Sequence, residues 1–128
     1  MLIHKKVQCL ILTVMMLTVA QGSLQSQDKV TTIKGYVLDS ACAFIKNLKK
    51  PVSSDCAVAC AKGGSPLVIL ADDGTIYWPI SNAMPATGQN QRLMKFAGQS
   101  VTASGKVFEK GGSKAIVIEK IEAAPTGK

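Results

Sequence analysis

Cys42, Cys56 and Cys60 carry most of the chemistry this chain can offer. A thiolate is both a nucleophile and a soft metal ligand. Cys56 and Cys60 stand four residues apart, the spacing that puts two side chains on one face of a helix. Cys42 could complete a three-thiolate set of the kind that favours Cu(I) or Zn. The same three residues can instead form a disulfide. A bridge from Cys42 to Cys56 or Cys60 would close a loop of about 15 residues and contribute roughly 3 kcal/mol in the chain-entropy model. A Cys56–Cys60 bridge would close one helical turn and strain it. The first expectation is a disulfide from Cys42, with its partner open and the third thiol a bystander. A soft-metal site or a thiol redox role through all three is the alternative.

Little else in the chain suits catalysis. The one histidine, His4, lies at the extreme N-terminus, and no close carboxylate pair offers general acid–base work. The chain is therefore expected not to be an enzyme and to need no cofactor. Asp39 reads as the end of a strand and Asp55 as part of a helix cap. Asp72-Asp73-Gly74 lacks the later acidic positions of a calcium loop and reads as a hairpin turn. Gly63-Gly64 ends a helix, so its amides point the wrong way for a phosphate. Tyr36 and Tyr77 form a candidate ligand face, since small barrels often stack bases or sugars on aromatic residues of the sheet. No nucleic acid is expected as a partner of an exported protein; the partner is an unidentified small molecule or protein.

Export is the reading of the N-terminus. Lys5 and Lys6 precede an apolar run, Val7–Ala20, followed by small and polar residues, which is a secretory signal pattern. The run falls short of the roughly 20 residues that cross a bilayer as a helix, so no stable membrane anchor is expected. Cleavage is placed after Gly22, making 1–22 the leader and removing Cys9 and His4 with it. A periplasmic or secreted location follows, and there cysteines usually pair. The chain has 15 Lys and Arg against 8 Asp and Glu, and it stays basic after losing Lys5 and Lys6. The remaining lysines are scattered, which describes a solvated surface.

The elements that must position the thiols follow from periodicity. After a polar lead-in (23–29), the domain spans 30–122, with a loose tail over 123–128. Residues 30–39 are β-branched and aromatic, with Gly35 marking a bend. Ser53-Ser54-Asp55 caps a helix over 54–62 that carries Cys56 and Cys60 and stops at Gly63-Gly64. Residues 67–70 and 75–80 form a hairpin across Asp72-Asp73-Gly74, with Pro79 placing the end of the second strand at an edge. Trp78 is assigned to the core. A second short helix spans 89–97, and 100–109 with 114–122 make another hairpin. This order predicts an all-β/α+β fold: a small five-stranded OB-like Greek-key barrel. It has a Cys-bearing helical insertion between strands 1 and 2 and a short helix between strands 3 and 4. In such a barrel the first and fourth strands pair to close it.

The stretches GlyTyrValLeuAspSerAlaCys, AspCysAlaValAlaCysAlaLysGlyGly, AspAspGlyThrIleTyr and PheAlaGlyGlnSerValThrAlaSerGlyLysVal resemble a widespread group of small exported bacterial proteins. These share a Gly-x-x-x-Asp-Ser-x-Cys start and a Cys-x-x-x-Cys-x-x-x-Gly helix. The resemblance covers about 35–121 and implies an extracytoplasmic OB-like domain; it carries fold and location rather than an activity. Members often hold a His near the second Cys or before the last hairpin, and this chain has none at either place, which weakens a metal reading. The leading expectation is an exported, disulfide-stapled binding module whose ligand is unidentified. The alternative is a soft-metal or thiol redox protein acting through Cys42, Cys56 and Cys60.

Overall fold

A computed structural model describes residues 29–45 and 53–125; the expected leader, nearly all of the lead-in and the end of the tail lie outside the described residues. Five strands close into a mixed barrel in the order β1-β2-β3-β5-β4. They are β1 (Val30–Asp39), β2 (Leu67–Ala71), β3 (Ile76–Pro79), β4 (Ser100–Lys110) and β5 (Ser113–Ala123). Two helices, α1 (Ser40–Ile45) and α2 (Ser54–Lys62), lie between β1 and β2. A third, α3 (Asn90–Leu93), leads into a 3-10 turn at Met94–Phe96.

β1 makes closure possible by pairing on both sides. Val30 to Tyr36 pair antiparallel with β4, and Gly35 to Asp39 pair antiparallel with β2. The handover falls at Gly35, where a Cβ would stand 2.2 Å from the Leu70 carbonyl oxygen and 2.7 Å from Ala71 Cα. Only a residue without a side chain lets β2 cross so close. Gly105 plays the same part where β4 meets β5: a Cβ there would lie 2.0 Å from the Val117 oxygen, and the register shifts at Ser104/Gly105.

β3 runs parallel to β5 through Tyr77, Trp78 and Pro79, and the Ile80 amide donates to the Ile116 carbonyl at 2.9 Å. At Pro79 the strand is paired with β5 on one side and open on the β2 side, so its end has one free flank, as the sequence suggested. The β2 ladder stops at Ile69↔Tyr77. A missing N–H is tolerated there because one flank of the strand already lacks a partner strand.

Alternation divides the buried side chains into two clusters. Ile33, Val37, Leu67, Ile69, Val101, Ala103, Ile116 and Ile118 fill the interior, joined by Ala57 and Ala61 from α2 and by Leu93, Phe96 and Ala97. α2 thus packs through its 57/61 side together with the α3 segment. On the outer face, Leu38 and Val68 hold Cys42 and Ala43 of α1, with Tyr36, Leu70, Ile76 and Trp78 around them. The Trp78 ring stacks on Phe44 with centroids 6.1 Å apart, so it packs in the outer cluster beneath α1 and not in the barrel interior.

Candidate metal centre

α1 begins directly where β1 ends, and Asp39 makes the transition. Its Oδ2 accepts the Cys42 amide at 3.1 Å, three residues on, as an N-cap side chain does. The Ser40 amide donates to the Pro66 carbonyl at 2.8 Å, which ties the start of α1 to the connection between α2 and β2. α2 is capped by Ser53, whose Oγ accepts the Cys56 amide at 3.3 Å, and it ends at Gly63 with its amide donating to Ala59. Asn90 then locks this corner. Its Oδ1 accepts the Leu67 amide at 2.8 Å, and its Nδ2 donates to the Ser65 carbonyl at 2.8 Å and the Ala61 carbonyl at 3.3 Å.

The result is that α1 and α2 bring their thiols to one point. The Sγ atoms of Cys42, Cys56 and Cys60 all lie within 4.8 Å of one another. Cys42 is buried, 5% exposed, whereas Cys56 and Cys60 are half-buried. No disulfide joins them; each is a thiol. The bridge expected from Cys42 is thus not formed. Three sulfur ligands at ~2.3 Å from one cation stand about 4 Å apart, so side-chain movements of less than 1 Å would convert this cluster into a coordination shell.

Asp39 shapes the electrostatics. It is fully buried, and burial alone would raise its pKa. Hydrogen bonds from the Cys42 thiol and amide and from the Ser65 hydroxyl outweigh that and hold the carboxyl below its usual range. Its Oδ2 accepts from Ser65 Oγ at 3.3 Å, while its Oδ1 has no hydrogen-bond partner. The ionised Asp39 therefore stabilises the fold above the carboxylate's unfolded pKa, and this stabilisation is lost as pH falls through the lower folded value. The Cys60 thiol is pushed the other way. Burial raises its pKa first, then the negative charge of Asp39 and the neighbouring Cys56. The buried negative charge of Asp39 acting on Cys42 and Cys60 is a surrounding that a cation relieves.

The two tyrosines do not share a face. Tyr36 stands opposite Leu70, which stands opposite Ile76, and all three join the outer cluster. Tyr77 stands opposite Ile69, itself opposite Val37, and packs against the barrel interior. Asp72-Asp73-Gly74 forms the β2–β3 turn, with Asp73 Oδ1 accepting the Thr75 amide at 2.9 Å. Asn90 carries little signal in the sequence, where it is only an amide residue at the start of a short helix.

No family model, curated protein or solved structure matches the chain. The geometry of the thiol cluster therefore carries the functional reading.

Proposed function

We propose that this chain is a small exported barrel that binds one soft cation of the Cu(I)/Zn(II) class through Cys42, Cys56 and Cys60. The observation that carries the reading is the convergence of three sulfur atoms from two helices within 4.8 Å. Thiolate sets of this kind suit soft and borderline cations, and no imidazole is needed to complete a three-coordinate site. A tetrahedral ion could take its fourth ligand from solvent, because Cys56 and Cys60 are half-exposed. The rigid corner around Asn90 and Asp39 sets the ligands before the ion arrives, which lowers the ordering cost of binding. The strand order, with β1 closing on β4, supports an OB-like barrel as the carrier. The Lys5-Lys6 and apolar N-terminal pattern supports export. Among the described residues no helix is long and apolar enough to cross a membrane.

A metal site is preferred to a disulfide-stapled module because the thiols converge with no disulfide joining them and Tyr36 and Tyr77 lie in different clusters. The test is a titration of fully reduced Cys9→Ser protein with Zn(II) and, separately, anaerobic Cu(I). One equivalent should bind and protect three thiols from alkylation. Binding displaces thiol protons, and the raised pKa of Cys60 adds to that cost. The affinity should therefore strengthen as pH rises and collapse towards acid pH. Three thiols that alkylate equally fast with and without metal would refute the site.

A further inference from the structure

We propose that the thiol cluster is a redox gate on its own cation: oxidation closes Cys42 of α1 onto one thiol of α2 and so dismantles the site. This deepens the metal reading and rests on it. Two disulfide geometries are open in principle, within α2 or between the helices. The first does not fit. Side chains four residues apart on a helix hold their Cβ atoms about 5–6 Å apart, whereas a disulfide needs roughly 3.5–4.5 Å. Joining Cys56 to Cys60 would therefore unwind the turn that Ser53 caps. Cys42 approaches from a different helix, with its sulfur within 4.8 Å of both, so a bridge from it leaves α2 intact.

Accessibility sets the order of events. Cys42 is buried in the outer cluster and the α2 thiols are half-exposed, so a small-molecule disulfide meets α2 first. An α2 thiolate attacks one sulfur of that disulfide, forming a mixed disulfide and expelling one small thiolate. The Cys42 thiolate then attacks the α2 sulfur, forming the protein bridge and expelling the second small thiolate. Overall two protein thiols lose two electrons and two protons, and the reagent is reduced to two thiols. One of the three sulfur ligands remains as a thiol, too few to retain the ion. Conversely, a bound cation occupies the sulfur lone pairs that the exchange requires, so the loaded site resists oxidation.

The experiment uses full-length Cys9→Ser protein, reduced or treated with oxidised glutathione, and Cd(II) as the probe, read by its thiolate charge-transfer absorbance. Reduced protein should show the band at one equivalent. Oxidised protein should be a monomer about 2 Da lighter with one alkylatable thiol, its cadmium affinity down at least about a hundredfold. Tryptic mapping should join 35–46 to 50–62, and Cd-loaded protein should oxidise more slowly than metal-free protein. Dithiothreitol should restore the band. A bridge confined to 50–62, or a band of equal strength in both states, overturns the gate alone. A reduced protein with no band overturns the metal site and the gate with it.

Discussion

Replacing Cys42 with serine is expected to weaken Zn(II) or Cu(I) binding by at least about a hundredfold while the barrel still folds. Cys56 and Cys60 ride on one helix, and two sulfurs on one helical turn leave a soft cation largely open to water. Cys42 is the residue that turns a pair into an enclosing set, and it is the most buried of the three. Serine keeps its size and can still donate to Asp39. A hydroxyl among Leu38, Ala43 and Val68 costs only about 1–2 kcal/mol. Competition with a chelator of known affinity measures the first quantity, and thermal unfolding followed by circular dichroism measures the second. Unchanged affinity in a folded Cys42→Ser protein would show that the ion does not use the α1 thiol.

The largest effect on folding is expected from Gly35→Ala. The new methyl would lie 2.2 Å from the Leu70 oxygen and 2.7 Å from Ala71 Cα. Both are backbone atoms held in the β1–β2 ladder, so neither can move aside as a flexible side chain would. The strands must separate at the point where β1 passes from β4 to β2. A loss on the order of 3–5 kcal/mol follows, a large part of the whole stability of a small domain. Gly88→Ala is the matched control, since nothing lies within 4 Å of a Cβ there. Urea unfolding should separate the two variants clearly. A Gly35→Ala protein within about 1 kcal/mol of the parent would mean that the strands cross further apart than described.

These two residues also show what a sequence of this kind discloses. Gly35 could be recognised as a bend because it interrupts a run of β-branched residues, and the bend lies where β1 changes partners. The helix over 54–62 was visible in full because Ser53, Asp55 and Gly63 mark both ends. α1 was missed. Ser40–Ile45 spans under two turns, too few for an apolar period to emerge. Asp39, its cap, reads equally well as the end of a strand. Without α1 the sequence does not place Cys42, and a disulfide to Cys56 or Cys60 is the default expectation for an exported chain. The shared position of Cys56 and Cys60 on a helix was legible, whereas their meeting with Cys42 depends on the Ser40–Pro66 hydrogen bond.

The tyrosines fail for a related reason. Alternation along one strand tells which residues share a face, so Tyr77 could be set opposite Ile76 and Trp78. It does not relate β1 to β3. That relation runs through β2, by Tyr36↔Leu70 and Ile69↔Tyr77, and the two rings emerge on opposite sides. Pro79 likewise marks a true interruption of the β2–β3 ladder, but the parallel pairing with β5 joins strands distant in sequence. Register between remote strands is a property of the closed barrel, and no local pattern encodes it.

X-ray absorption spectroscopy of the one-to-one Zn(II) complex tests the central claim most directly. The account predicts three sulfur neighbours at about 2.3 Å, with at most one light atom completing the shell. A first shell of nitrogen and oxygen with one sulfur or none would contradict it and place the ion away from the cysteine cluster.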